Sequence, residues 1–579
     1  MLLQRLRDYG ERLEQENPTP SMYIPTSIRY QVELDGSGRY LGLIDLKDPS
    51  SPKGGRGRQM LAPTVGKTSG IKAKLLADTA EYVLGVARNP EKQERVDACH
   101  RAFRALLQHC IRATQHPTLH AIESFLDELD VSTLELADDF DAGGVVTFRV
   151  DGTYPIDLPE VRQFWATNAL READDDSADG ASSPVMQCLV CNRERPAMER
   201  LPLKIKGIRG GQTSGLALIS ANAEAFESYG LTASLTAPTC QSCSERFSKG
   251  LNLLLSERDT HISVGDLTYV FWTREPVADF SFATMLSDAD DGQVRALFDS
   301  ARRGTSGATQ LDVTPFYAAA LSASGARVVV RDWLDTTVGA AQVNLQRYFQ
   351  LQNLVDPYGE PGNPQKLFAL AAATVRDANK ETLVHAARAL LRLALGGGAL
   401  PQGMLFQAVR RNRAEQKVTR QRAVLIKMVL SSTLESLEDD AMVELNDSNR
   451  DPAYLCGRLL AVLERVQMTA LPNLNATIVD RFFGSASTAP ASVFSRLLRG
   501  GQPHLSKLRR DRPGAYFALQ VRLEEILAGL QSFPRTLNLE QQGLFALGYY
   551  HQRAADRSGA RARKEAKQTP QTTDDESGE

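Results

Sequence analysis

A chain of 579 residues is too long for one hydrophobic core, and its formal net charge of −3 excludes a protein that coats nucleic acid indiscriminately. Apolar content of 42% with 24% charged residues is ordinary for a globular protein, and no stretch approaches the roughly 20 apolar residues that span a bilayer. Met1-Leu-Leu-Gln-Arg-Leu-Arg-Asp8 lacks the apolar run of a secretory signal, and the seven cysteines are an odd number, so the expected compartment is a reducing cytoplasm without membrane contact.

The chain opens on an amphipathic helix, with Leu2, Leu3, Leu6 and Tyr9 at helical spacing. A β-hairpin follows: Ile28, Tyr30, Val32 and Leu34 alternate with polar residues, Asp35-Gly-Ser-Gly38 turns the chain, and 39–46 returns. Residues 51–74 carry Lys53, Arg56, Arg58, Lys67, Lys72 and Lys74 without an acid and read as a basic loop; 76–130 read as helices. Strands are expected at 145–150, 267–272 and 327–333, and an acidic, small-residue loop at 171–184. From about 365 helical patterns dominate. Asp451 caps a helix with Pro452 at its first position and an apolar stripe of Leu455, Leu459, Leu460, Val462, Leu463 and Val466. Further helices are expected near 491–500, 514–532 and 538–553.

The fold class is therefore α+β: a mixed N-terminal region with a zinc-ribbon-like insertion, followed by an all-α C-terminal helical bundle. The expected divisions are an α+β region with the basic loop (1–185), the zinc-ribbon-like segment (186–250), the rest of the α+β body (251–365), a helical connector with a basic run (366–440), the helical bundle (441–553) and a charged, disordered tail (554–579).

Two Cys-x-x-Cys pairs, Cys188 with Cys191 and Cys240 with Cys243, can close a tetrahedral zinc site without another ligand. Their separation exceeds the ~15–20 residues of ordinary fingers, as an inserted subdomain would require. With four protein ligands the site is structural. Cys99, Cys110 and Cys456 sit in apolar patterns and read as small core hydrophobes. The bracketed stretch Lys204-Ile-Lys-Gly-Ile-Arg-Gly-Gly-Gln-Thr-Ser-Gly215 combines cations, glycines and exposed backbone N–H groups, which suit phosphate. The alternative for each basic stretch is a solvated surface loop. A third basic run holds Arg410, Arg411, Arg413, Lys417, Arg420, Arg422 and Lys427 against Glu415.

Catalytic constellations are scarce. Gly66-Lys-Thr-Ser-Gly70 is an incomplete phosphate loop, and the eight histidines form no H-E-x-x-H motif. His116 and His120 read as a helix-end pair, and the acidic clusters 138–141 and 288–291 as ordinary loops. No catalytic residue is assigned, and a binding subunit is expected rather than an enzyme. A zinc-ribbon nuclease is the runner-up.

Several strings stand together: Thr68-Ser-Gly-Ile-Lys72 with Asp78-Thr-Ala-Glu-Tyr-Val-Leu-Gly85; Lys204-Ile-Lys-Gly-Ile-Arg209 with Gln212-Thr-Ser-Gly215 and Ala225-Phe-Glu-Ser-Tyr-Gly230; and Pro452-Ala-Tyr-Leu-Cys-Gly-Arg458, Leu474-Asn-Ala-Thr477, Pro490-Ala-Ser-Val-Phe494, His504-Leu-Ser-Lys507 and Phe545-Ala-Leu-Gly-Tyr-Tyr-His-Gln552. In order and over nearly the whole chain they resemble the large subunit of the subtype I-C CRISPR surveillance complex, Cascade. The resemblance implies a non-enzymatic antiviral role: binding the guide-RNA ribonucleoprotein, reading a protospacer-adjacent motif on double-stranded DNA, aiding duplex opening, and offering a surface to the helicase-nuclease. The other implied partners are the backbone and guide-end-binding subunits and a small subunit. On this footing Lys67, Thr68, Ser69 and Lys72, with Lys204, Lys206, Arg209 and Gln212, are the candidate DNA contacts. Gln212 or Asn222 is the candidate for a base edge, Asn222 alternatively capping a helix through Glu224 and Phe226. The C-terminal bundle resembles the small subunit, which would start separately at Met428 or Met442 and put Arg458, Arg481, Arg496, Arg499 and Lys507 toward phosphates. Zinc rests on the cysteine spacing, not on the resemblance.

Overall fold

The computed structural model describes residues 2–16, 20–47, 57–65, 71–131, 134, 136–137, 139–175, 183–221, 223–275, 282–288, 313–433 and 442–568. The fold is mixed α+β, with sheets in the N-terminal half and helices in the C-terminal half. It divides into two compact units, one of Met1–Gly207, Gly211–Ser256 and Ala323–Val329, the other of Ile208–Gly210, Glu257–Ser322 and Val330–Glu579.

The first unit is built on a four-stranded sheet ordered Tyr40–Asp45, Tyr30–Leu34, Val145–Val150, Ala77–Thr79. The hairpin forms as expected because Asp35 accepts from the backbone N–H of Ser37 and of Arg39, each at 3.0 Å, and Gly38 takes φ +92. Tyr30–Leu34 pairs parallel to Val145–Val150, with Val32 opposite Phe148. Helices Gln93–Thr114 and Pro117–Asp127 supply Phe103, Leu107, Ile122 and Phe125 to the same core as Val32, Val146, Phe148 and Trp165. Cys99 and Cys110 are buried there, as small hydrophobes should be.

Local pattern misleads in three places here. Ala77–Thr79 is a strand, not helix, because Val145–Val150 offers it an open edge. Arg58–Pro63, expected within a basic loop, is a strand paired antiparallel with Tyr23–Ile28. The helix Pro159–Asp175 also runs into the stretch expected as loop from 171.

A further antiparallel sheet is ordered Arg327–Thr337, Pro315–Ser324, Leu267–Thr273, His261–Val264, all of it but residues 323–329 within the second unit. No strand is expected at 315–324, and Ala-Ala-Ala by propensity alone favours helix. Pairing decides otherwise: Tyr269 lies opposite Ala320 and Phe271 opposite Ala318, so small residues make room for rings. Tyr269, Phe271 and Phe316 then share a core with Leu345, Tyr348 and Phe349 of the helix Val338–Leu351.

At the C-terminus the helix Pro452–Ala470 is buried around most of its circumference, including all six residues of the expected stripe. Ile478–Ala486, Pro490–Asp511, Pro513–Ala528 and Leu539–Gln568 pack around it. Asp451 caps it, its carboxylate accepting from Ala453 N–H at 2.8 Å and Tyr454 N–H at 3.1 Å. Asp451→Ala should cost about 1 kcal/mol, read as a lowered urea midpoint; an unchanged midpoint would show that the cap is idle.

Two helices outrun their expected ends. Pro490–Asp511 continues through Gly500, Gly501 and Pro503, because its buried stripe of Leu497, Gly501, Leu505 and Leu508 continues while Pro503 faces solvent. Leu539–Gln568 runs past 553 into the stretch expected to be disordered: Ala554 is buried and Asp556 pairs with Arg522 at 2.8 Å.

Candidate metal centre and the loop it holds

The four cysteine sulfurs come together. Cys188 and Cys191 sit on the turn following Val185–Gln187, which pairs with Glu194–Pro196. Asn192 takes φ +58, letting its N–H donate back to Cys188 O at 2.8 Å, and Cys188 N–H donates to Arg193 O at 2.9 Å. This folds the loop tightly enough to aim both thiols the same way. Cys240 immediately precedes the helix Gln241–Ser256, and Cys243 lies in its first turn. The positive end of that helix favours thiolate.

All four Sγ atoms lie within 4.8 Å of one another, with Cys191 Sγ 3.9 Å from Cys240 Sγ. Zinc–sulfur bonds of ~2.3 Å in a tetrahedron put sulfurs about 3.8 Å apart, so the quartet fits. Burial pushes the Cys188 thiol up, but backbone N–H groups of Cys191, Cys240 and Val190 outweigh it and bring Cys188 down to about 7. Cys240 N–H lies 3.4 Å from Cys188 Sγ. Burial dominates at Cys240 and Cys243 and raises both. Three of the four side chains are buried and Cys191 is half-buried, so a metal with four sulfur ligands would have no position left for substrate. Among the described residues no other group of His, Cys, Asp and Glu is placed to hold a metal ion.

The cysteine helix ties three elements together. Its buried Glu245 accepts from Ser21 Oγ at 2.9 Å and from Met22 N–H at 3.2 Å. Arg246 pairs with Glu11 and Glu14 of the N-terminal helix Leu2–Glu16, each at 2.9 Å. Asn252 holds the basic loop by both ends of its amide: Oδ1 accepts from Lys206 N–H at 2.8 Å and Nδ2 donates to Lys204 O at 3.0 Å. The loop closes where Ile205 and Leu216 exchange backbone hydrogen bonds of 2.8 Å. Gly215, at φ +92, could not carry a side chain there, since a Cβ would sit 2.8 Å from that of Lys204. Lys206, Arg209 and Gln212 are exposed and Lys204 is half-buried. Asn252 escaped sequence reading, because nothing in its neighbourhood distinguishes it from a solvated helix residue.

Of the first loop's candidates, Lys72 is half-buried, and Lys67, Thr68 and Ser69 lie outside the described residues. So does Asn222. The helix expected after it is a single 3-10 turn, Glu224–Phe226, with Ala223 at the capping position.

The third basic run is not a continuous cationic face. Lys427 is fully buried and donates to Asn353 O at 2.8 Å, Arg420 donates to Leu354 O at 3.2 Å, and Arg422 and Arg411 both pair with Glu415. Arg410, Arg413 and Lys417 remain exposed.

Arg458 is likewise withdrawn from any phosphate role. It is 3% exposed and bonded to Gln552 and Asp447, because its helix is buried on nearly every side. Arg481, Arg496, Arg499 and Lys507 are exposed, Lys507 pairing with Asp511 at 3.3 Å; Arg509, Arg510 and Arg512 are exposed beside them. His116 is a helix end: it precedes Pro117–Asp127, its Nδ1 accepting from Thr118 N–H at 3.3 Å.

Among the described residues no helix is long and apolar enough to cross a membrane. A family model described as CRISPR-associated protein (Cas_Csd1) matches residues 6–556. Comparison with curated proteins gives no match.

Proposed function

The chain belongs to the Csd1 family of CRISPR-associated proteins, and from that premise we propose that it is the non-catalytic large subunit of a subtype I-C, RNA-guided surveillance complex of the cytoplasm. In this reading it recognises the protospacer-adjacent motif on double-stranded DNA, aids duplex opening and helps recruit the helicase-nuclease. Its other partners are the guide-RNA ribonucleoprotein, the backbone and guide-end-binding subunits and a small subunit. The observation that supports DNA recognition best is the exposed loop of Lys206, Arg209 and Gln212, whose backbone is held by Asn252 of the cysteine helix. Cations on a fixed backbone suit phosphates, and a side-chain amide among them suits a base edge.

Zinc is the metal that four thiolates at this spacing select most readily, and its part is structural: Cys188, Cys191, Cys240 and Cys243 would hold it and fix the helix that carries Asn252. Arg481, Arg496 and Arg499 give the C-terminal bundle exposed cations for an opened strand. Were the bundle also made separately, Met442 would be the better start. It precedes Pro452–Ala470, whereas Met428 is fully buried within the helix Arg420–Thr433.

The test is the double variant Lys206→Ala with Arg209→Ala in the assembled complex. Assembly with guide RNA should be retained and duplex capture weakened. The slope of log affinity against log salt should be shallower by about 2, since each phosphate that is no longer neutralised removes roughly 0.9. Unchanged capture and slope would remove this loop from the interface. Metal-dependent cleavage by the chain alone would instead favour a nucleic-acid-processing enzyme.

A further inference from the structure

Residues 223–230 are all exposed, a run that includes two aromatic rings. Phe226 is 50% exposed, and Tyr229 is 99% exposed. Tyr229 and Gly230 form the centre of a two-residue turn with φ +54 and +72, closed by the pairing of Ser228 with Leu231, whose N–H donates to Ser228 O at 2.9 Å. Asn or Gly is the ordinary occupant of the first position, because a bulky side chain is disfavoured at positive φ. A tyrosine there accepts backbone strain and leaves its ring without burial.

The protrusion is fixed at its base. Glu224–Phe226 is a 3-10 turn, and the guanidinium of Arg327 lies over the Phe226 ring at 3.9 Å from its centroid. Arg327 is placed by backbone bonds from Ala217 N–H to Ala326 O at 2.8 Å and from Val328 N–H to Ala217 O at 2.9 Å. Ser234, three residues beyond the closing Leu231, is buried, with its N–H donating to Glu199 O at 2.9 Å and its hydroxyl to Ile219 O at 3.1 Å. The neighbour of Ala217 is Leu216, the residue that closes the basic loop against Ile205. Two consecutive residues thus hold the cationic loop on one side and the Arg327–Phe226 stack on the other.

We infer that Tyr229, supported by the Arg327–Phe226 stack, is a base-stacking platform for an unpaired nucleotide beside the phosphates held by the basic loop. The inference rests on reading the chain as a DNA-recognition subunit. Between Gly215 and Cys240 the sequence has just two charges, Glu224 and Glu227. They repel phosphate, so the protrusion offers nucleic acid its ring faces, while Lys206 and Arg209 supply the cations. Aromatic faces beside a cationic track are how single strands are held without sequence preference. Tyr229 does not read a particular base, because every base has a π face.

The test uses the assembled complex and target duplexes carrying 2-aminopurine at successive positions next to the recognised duplex element. Stacking on Tyr229 quenches the probe at one position. Tyr229→Ala and Tyr229→Gly should restore its fluorescence there and weaken capture about ten- to hundredfold without changing the salt slope; Tyr229→Phe should keep both. Tyr229→Gly should at the same time raise the melting temperature, because glycine relieves the positive φ. Stability and binding moving in opposite directions is a result that a merely structural tyrosine does not give. Loss of a protein subunit from the Tyr229→Ala complex would overturn the inference and make the protrusion a protein contact. Unchanged fluorescence and capture, with Lys206→Ala/Arg209→Ala still lowering the salt slope, would overturn the platform alone. If both sets of variants are silent, the basic loop leaves the interface as well, and the platform falls with the reading of this segment as a DNA contact.

Discussion

Cys188→Ser with Cys240→Ser will abolish metal binding and loosen both the Val185–Met198 turn and the Lys204–Leu216 loop. A structural zinc site contributes on the order of 10–16 kcal/mol of apparent binding free energy at neutral pH. That is comparable to the whole stability of a typical domain. Without metal, Val185–Pro196 keeps the Leu189 N–H bond to Pro238 O at 2.9 Å and the buried Val190, but few other contacts. Its strands are three residues each, and Val185, Leu189 and the residues of Glu194–Pro196 are exposed.

The helix Gln241–Ser256 will fare better, because Phe247, Leu251 and Leu254 are at most 1% exposed and do not depend on metal. Its first turn will fray, and with it the position of Glu245 against Ser21 and Met22. Elemental analysis should fall from one metal per chain to none. Amide exchange should accelerate at 185–198 and 204–216 while 247–254 stays protected. A wild-type chain without metal, or a variant with unaltered exchange at 185–198, would show that the quartet is not a clamp.

The second large effect lies in the bundle, where Pro452–Ala470 crosses Leu539–Gln568 at two glycines. A Cβ on Gly457 would meet Phe545 O at 2.0 Å and Tyr549 N at 2.9 Å; one on Gly548 would meet Tyr454 O at 2.2 Å. These are backbone atoms and cannot rotate away. Alanine gains about 1 kcal/mol of helix propensity over glycine, whereas overpacking a fixed crossing costs about 1–3 kcal/mol or more. The clash wins, because relief requires the two helices to separate along their whole buried contact.

Gly457→Ala should therefore destabilise by about 2 kcal/mol and Gly457→Val by more. Gly500→Ala is the opposite case. Nothing lies within 4 Å of its Cβ position, so the propensity gain stands alone and the variant should be more stable. Urea midpoints of the three variants decide the matter: equal shifts for Gly457→Ala and Gly500→Ala would mean that the crossing is not close.

The cysteine cluster was legible because its information is local. Two Cys-x-x-Cys pairs specify ligands by spacing alone, and the structure needed only to close the distance between them. Asp451 was legible for the same reason, since a cap acts two or three residues from itself. Arg458 was not. Its flanking residues look the same whether the helix is packed on one face or wrapped on all, and wrapping by four later helices decides that its charge faces Asp447 and Gln552 rather than solvent. Lys427 and Arg420 failed likewise: a cation among cations suggests a surface, until a carbonyl from a distant turn accepts it.

By itself the sequence determined the α+β class, the helical C-terminal half, the Asp35–Gly38 turn, the cysteine quartet and the family, all of which rest on periodicity, turn chemistry, spacing or strings in order. Tertiary structure alone decided that Ala318 and Ala320 lie in a strand opposite rings, that a helix runs through Gly500, Gly501 and Pro503, and that Asn252 holds the basic loop. It also decided that Arg327 lies over Phe226. The physical reason is common to these cases. Propensity and charge are properties of a residue and its chain neighbours, worth a few tenths to about 1 kcal/mol each. Strand pairing, burial and the placement of a hydrogen-bond partner are properties of residues far apart in sequence, and where the two disagree the larger energies of pairing and burial prevail.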